Sequence, residues 1–578
     1  MTIRKILFGA TVFTSLGIMS GLAGAADSSL VRIATVPQGA EVAGLAVNDA
    51  GELFFNAQHP AKKATYEEGG PAALIGYIHG LNINDYQGGS VAIPAEDARD
   101  RIHVAKGEYV KLAMAGTKLG NGQKVGGVYD HSGKLMFISN DVDFNAFVPL
   151  SDDTAYLYTA FEGAGRRGVS GISRLKLNRQ NGRWQADLDK SEMLDLQSID
   201  GAWVLCFGTI TPWGSPIVSE EYYFYATRIW NHPDDHDDDE RPSYKKGNDI
   251  NYHQAKRMNE YLGRPSNPYR YGYNIEFNNA DSENVSFTRH YAHGRFSHEN
   301  IVVLADRKTI YQSDDDSAKY NNKKYNTNSG GVFFKFVADK ADDLSAGTLY
   351  AASLDQDAGS DPRTTGFDIQ WIELAHGNNA EIAKWIDEYE GKTTKDYVEG
   401  STNYISDDEV YAWAEGKTGK DLNGDGKVGS AKDDRVAFLE SRKAAAVLGA
   451  ANDWNKMEGV AADSKYVYLA ASNISETMAK DWGDVHWSSG VKDEKATGDI
   501  ALDKEACGAV YRAEIGSDFD IKRLEPYVVG RDLGNKKGCD LDGIASPDNI
   551  LSLANGNMLI AEDAGKRQHP VDFLWLKK

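Results

Sequence analysis

One cysteine and a pair of acids fall within sixteen residues of each other in Cys206-Phe-Gly-Thr-Ile-Thr-Pro-Trp-Gly-Ser-Pro-Ile-Val-Ser-Glu220-Glu221. A thiolate beside carboxylates suits a metal site better than a disulfide or a plain core strand. Pro212-Trp213-Gly214 reads as a tight turn between them. The chain has three cysteines. Cys507 and Cys539 are close enough in sequence to pair, which leaves Cys206 either buried and inert or bound to a metal.

A second cation motif is Asp421-Leu-Asn423-Gly-Asp425-Gly426. Oxygens at positions 1, 3 and 5 with glycine at 6 match an EF-hand start, where the glycine permits the sharp turn. The match weakens at its end. The residue at the usual bidentate position is Lys432, with Asp433 and Asp434 directly after it. The motif reads as a structural calcium loop over 421–434 or, alternatively, as an acidic surface turn.

Gly294-Arg295-Phe-Ser-His298-Glu299 gathers a cation, an imidazole and an acid. His298-Glu299 resembles the start of a zinc-protease motif, but no second histidine follows at the required spacing. No Gly-x-Ser-x-Gly elbow precedes a helix, and no phosphate-cradling P-loop is present.

The elements that must position these residues are mostly strands. Leu45–Phe55, Val128–Ile138, Val460–Leu469 and Ile550–Ile560 each read as a strand, a polar turn and a second apolar strand. Recurrent hairpins of this kind predict an all-β, six-bladed β-propeller, with a β-sandwich as the alternative. Six blades use only part of the chain. The rest is expected as helical and loop insertions near 228–265, which includes the acidic loop Asn231–Arg241, and near 376–450. Helical character is expected over Asp249–Leu262, Ala380–Glu390 and Asp433–Leu448. Glu458 and Asp548 stand at equivalent places before the third and fourth hairpins, and Asn473 and Glu562-Asp563 follow their second strands. In a propeller such positions converge on the axis; in any other fold they are solvated strand ends.

The net charge of −22 argues against a phosphate-backbone footprint and hence against nucleic acid as a partner. Residues 1–25 read as an export signal: Arg4-Lys5, an apolar stretch Ile6–Leu22, then Ala23-Gly24-Ala25. No later segment approaches the roughly 18 consecutive apolar residues of a membrane span. The expectation is a secreted, periplasmic or extracellular, monomeric protein with one domain over 26–578.

Taken in order, the motifs resemble the PhoX family of bacterial alkaline phosphatases. The match runs from Asp143-Phe-Asn-Ala-Phe-Val-Pro and Phe161-Glu162, which fit less closely, through Cys206 to Glu221, Arg270–Tyr273 and Gly294–Glu299. It continues through Tyr311–Asp315, Lys456–Gly459 and Ser546–Asn549 to Glu562-Asp563. The resemblance implies a propeller carrying an axial cluster of iron and calcium that hydrolyses phosphate monoesters. It implies Cys206 and Glu299 as iron ligands, with Glu221 or Glu220, Glu458, Asp548 and Asp563 or Glu562 completing the metal sites. Strand alternation turns only one of Glu220 and Glu221 inward, and Glu221 is favoured. Lys456 and Arg295 are the candidate catalytic cations. The family's usual arginine two residues before the equivalent of Glu458 is Lys456 here, a point charge in place of a planar fork.

The sequence thus predicts a secreted metal-dependent phosphomonoesterase. The alternatives are a non-catalytic calcium-binding propeller and a single-metal hydrolase such as a lactonase. The second of these leaves Cys206 unexplained.

Overall fold

The computed structural model describes residues 29–60, 72–163, 168–221, 250–315, 330–391, 405–481, 498–534 and 537–578. The proposed export signal and the acidic loop Asn231–Arg241 lie outside these residues.

The described chain is mostly β and propeller-like. Its strands are short runs rich in Val, Ile, Tyr and Phe, as in Leu53–Gln58, where every residue is buried. Polar turns separate them. Between Pro547–Ser552 and Met558–Glu562, the Asn555 side chain accepts the Asn557 N–H at 3.0 Å and Gly556 takes φ 84°. Three of the four sequence-predicted hairpins join an edge strand of a sheet to its neighbour. Val128–Ile138 instead forms a separate two-stranded unit, Gly127–Tyr129 with Leu135–Ile138.

The expected six separate blades are corrected to four, three of four strands and one of five. The remaining large sheet has nine strands. It is continuous because Phe367–Asn378 pairs edge to edge with Arg523–Val529, through Phe367↔Leu524 and Asp368↔Arg523. That contact joins residues more than 150 positions apart, and no local pattern signals it. The five-stranded sheet ties the two ends of the described chain together, Leu30↔Lys577 through Thr35↔Phe573.

The first strands of successive hairpins are Glu41–Val47, Val142–Ser151, Leu205–Ile210, His298–Val303, Gly459–Ala462 and Pro547–Ser552. They touch one another in a closed cycle. The helical insertion contributes Asn379–Asp387, Asp407–Thr418, Arg435–Leu439 and Ser441–Val447, which share a core with strands of the nine-stranded sheet. Ile250–Leu262 is helical as expected. Cys507 and Cys539 form a disulfide.

Candidate metal centre

Each strand of the inner cycle carries an acid or the cysteine within one residue of its start: Glu41, Asp143, Cys206, Glu299, Glu458 and Asp548. All six side chains are buried. Four of the second strands are followed at once by a further acid. Thr154–Phe161 leads to Glu162, Pro216–Glu220 to Glu221, Thr309–Asp314 to Asp315 and Met558–Glu562 to Asp563.

The backbone repeats this plan. Register pairs Leu205↔Glu220, His298↔Asp314 and Pro547↔Glu562, and a register shift follows each pair. A bulge re-aims a side chain, and here it falls on Cys206, Glu299 and Asp548. The second acid of each hairpin donates its N–H to a carbonyl two residues before the first ligand. Glu162 bonds Asp141 at 2.8 Å, Glu221 bonds Val204 at 2.9 Å, Asp315 bonds Ser297 at 2.9 Å and Asp563 bonds Ser546 at 3.1 Å. At Val204, Lys456 and Ser546, each two residues before its ligand, φ is 40°, 54° and 44°. Left-handed backbone at non-glycine residues, above all at a β-branched valine, is strained and persists where the surroundings fix it.

The ligand atoms form four interlocking groups, each with all its members within 4.8 Å of one another: Asp143–Cys206–Glu299, Glu162–Cys206–Glu221, Glu299–Glu458–Asp548 and Glu41–Asp548–Asp563. Cys206, Glu299 and Asp548 each belong to two groups, so the four make one continuous cluster. The Cys206 thiol donates to Glu221 Oε2 at 3.2 Å. Gln58 bridges Glu41 (3.0 Å) and Glu162 (3.3 Å).

The cluster holds far more acidic than basic side chains. Among the described residues, the basic side chains ion-paired with its acids are Lys456 and His59. Lys456 Nζ stands 2.8 Å from Asp315 and contacts Glu458, with its side chain 33 % exposed. His59 Nε2 stands 3.2 Å from Glu41. Burial and then mutual repulsion push the carboxyls of Asp143, Glu162, Glu299, Glu458 and Asp548 well above the usual range. Burial and Asp315 raise Glu221 to about 7, and Glu41 together with burial raises Asp563 to about 6. Burial and the surrounding acids, Glu162 first, push the Cys206 thiol up as well. Burial disfavours the Lys456 ammonium, but Asp315, Glu458 and Glu221 outweigh it and hold its pKa well above the ordinary value. Asp143 Oδ1 and Asp315 Oδ1 are buried without a hydrogen-bond partner. Converging carboxylates, a thiol and orphaned buried oxygens are what bound cations would satisfy, so the donor set fits a multi-metal site.

The structure brings Cys206, Glu221, Glu299, Glu458, Asp548, Asp563 and Lys456 together. It sets four other predicted residues or motifs elsewhere. Glu220 is turned away from the cluster into an ion pair with Arg289 at 2.9 Å, and it accepts the N–H groups of Trp203, Gly272 and Tyr273. Glu562 is likewise turned away and bonds His569, Trp575 and the N–H groups of Ala545 and Phe573. Arg295 is buried against the ring of Tyr269 and donates to the carbonyls of Tyr271 and Leu439, which places it in the packing beside the helical insertion. The loop of Asp421, Asn423 and Asp425 is exposed and belongs to none of the four groups. Asp421 accepts the N–H groups of Gly424 and Gly426, Asp433 pairs with Arg435, and Asp434 bonds Trp413 and Lys417.

Sequence reasoning did not assign Glu41, Asp143, Glu162, Asp315 or His59 to the site. The signal was present as a recurring interval: an acid or cysteine opening one strand and an acid ending the next, as in 143/162, 206/221, 299/315 and 548/563.

The model of a protein family described as "Alkaline phosphatase PhoX" matches residues 170–574, well over half of the chain. No curated protein matches. A solved glucose dehydrogenase structure aligns over 95 % of this chain and 99 % of its own, at 10 % identity and a TM-score of 0.33. A sialidase of Trypanosoma rangeli in complex with the inhibitor DANA aligns over 61 % of this chain and 58 % of its own, at 8 % identity and a TM-score of 0.22. Likenesses that distant bear on neither the fold nor the function.

Proposed function

Since the chain belongs to the alkaline phosphatase PhoX family, we propose that it is a secreted metal-dependent phosphomonoesterase and that the acid–thiolate cluster is its active centre. The observation that carries this reading is the position of Cys206, whose thiol is shared between Asp143–Glu299 and Glu162–Glu221. A scaffold needs no buried thiol among acids.

Ligand softness divides the cluster. The two groups containing Cys206 suit iron, and the two all-carboxylate groups, Glu299–Glu458–Asp548 and Glu41–Asp548–Asp563, suit calcium. Bound cations supply Lewis-acid stabilisation of the charge on a transferring phosphoryl group and turn an acidic pocket into an anion trap. The protein's own part is to hold these acids in fixed positions and to present one ammonium at the rim. Lys456 is partly exposed beside Asp315 and Glu458, within reach of the cluster's edge. There it offers a point charge to a non-bridging phosphate oxygen. The loop at Asp421 is read as a separate structural calcium site on its match to an EF-hand start.

Export is supported by the apolar stretch Ile6–Leu22 and by the Cys507–Cys539 disulfide, a bond that persists in oxidising compartments. Among the described residues no helix is long and apolar enough to cross a membrane.

Metal analysis of the purified protein tests the reading. Iron and calcium together are expected. Calcium without iron, with no hydrolysis after iron is supplied, would instead favour a non-catalytic calcium-binding propeller.

A further inference from the structure

In three of the hairpins, the residue just before the cluster acid is a second, fully buried acid with its own basic partner. Glu220 precedes Glu221 and pairs with Arg289, Asp314 precedes Asp315 and pairs with Arg442, and Glu562 precedes Asp563 and pairs with His569. The three pairs share one further bond. Glu220 accepts the Trp203 N–H at 3.0 Å, Asp314 the Ser297 N–H at 3.1 Å and Glu562 the Ala545 N–H at 2.9 Å. Those donors lie two or three residues before Cys206, Glu299 and Asp548. Each buried acid therefore ties the approach to the first ligand of its hairpin to the end of the strand that carries the second.

We infer that Arg289 and Arg442 are positioning residues of the metal centre, acting through Glu220 and Asp314 to hold Cys206–Glu221 and Glu299–Asp315 in place for cations. This rests on the metal-centre reading above. Arg289 is suited to the task. It donates through Nε and Nη2 to both oxygens of Glu220, at 3.2 and 2.9 Å, and through Nη2 to the Gly201 carbonyl at 2.7 Å. One planar fork thus fixes the carboxylate and the chain just ahead of Val204. Arg442 reaches Asp314 from the helix Ser441–Val447 and donates to both of its oxygens. The helical insertion thereby supplies a fixed point of the inner ring. A mutually repelling acid cluster needs such external clamps, because its own members push one another apart. Outer partners of this kind change metal affinity by about 10–100-fold when removed.

The test uses the full-length chain and cobalt(II) as the probe. The absorption band of a cobalt–thiolate bond reports a cation at Cys206 and ignores the Asp421 loop. Arg289→Gln is expected to weaken cobalt binding read by this band by about 10–100-fold, and Arg289→Lys to recover part of it. Arg174 is another buried guanidinium, and its partners Ser282, Glu283 and Glu192 belong to none of the four groups of the cluster. Arg174→Gln is expected to lower thermal stability while leaving the cobalt affinity unchanged. If Arg289→Gln does not fold, Arg289→Lys must still bind cobalt more weakly than the wild type at a temperature where both are folded. Cobalt affinity equal to wild type in the folded Arg289 variants overturns the positioning role and leaves the metal reading standing. No band in the wild type overturns both.

Discussion

At the scale of single residues, the cluster packs together side chains that repel one another at close range. Glu221 at about 7 and Asp563 at about 6 lie above the ordinary values for unfolded carboxyls. In protein stripped of cations, the folded chain keeps protons that the unfolded chain has already released. Stability from these two groups is full below the unfolded values and is lost as pH rises through about 6 and then about 7. Chelator-treated protein should therefore melt at a lower temperature at pH 8 than at pH 5, and added calcium should close the gap; an unchanged melting temperature would contradict the picture. Cys206→Ala should abolish iron binding and lower phosphatase activity by at least about 100-fold, with calcium retained by the all-carboxylate groups. Elemental analysis and phosphate release read the two effects separately. Lys456→Met should cost about 100-fold in kcat/KM, and Lys456→Arg should keep or improve on wild-type activity, since the fork grips phosphate at two points. Equal losses in both variants would remove Lys456 from the substrate site.

At the scale of elements, the two acids in a doublet have opposite roles, and strand alternation decides which is which. Glu220→Ala leaves Arg289 buried and unpaired, so it should cost about 3–5 kcal/mol in urea unfolding. Glu221→Gln removes one repelling carboxyl, so without cations it should leave stability unchanged or raised while weakening cation binding. Reversed effects would mean that the acids are assigned the wrong way round. Alternation was legible in the sequence and favoured Glu221. Glu562-Asp563 left the same choice open, and only the packing of Glu562 against Trp575 and His569 resolves it. The hairpins at Leu45–Phe55, Val460–Leu469 and Ile550–Ile560 were legible because a polar turn between two apolar runs is a local signal. Glu41 was not, since it sits four residues ahead of its hairpin pattern and its partners, Asp548 and Asp563, lie some 500 residues away. Arg295 misled for the converse reason. Its neighbour Glu299 faces the cluster, but Arg295 directly follows the positive-φ turn at Gly294 and donates to the carbonyls of Tyr271 and Leu439.

At the scale of the whole molecule, a ring of hairpins gathers candidate ligands from residues 41 to 563 at one place. The ring was predictable as a propeller from its recurrent hairpins. Its blade count was not, because the edge pairing that fuses strands into the nine-stranded sheet is a tertiary event. Long-range ties hold the ring's geometry. The Cys507–Cys539 disulfide closes a 32-residue separation, and the Cys507 carbonyl accepts the Ser546 N–H just before Asp548. Replacing both cysteines with serine should cost about 3–4 kcal/mol by the loop-entropy relation, measured by urea unfolding; no loss would mean that the ring's packing alone fixes this segment. The central claim is that this ring is a metal-dependent phosphomonoesterase. The most direct test is the release of inorganic phosphate from an aryl phosphate at alkaline pH by the purified wild-type protein supplied with iron and calcium. Sustained turnover that disappears on chelation is expected. Protein that binds both metals and releases no phosphate would contradict the claim.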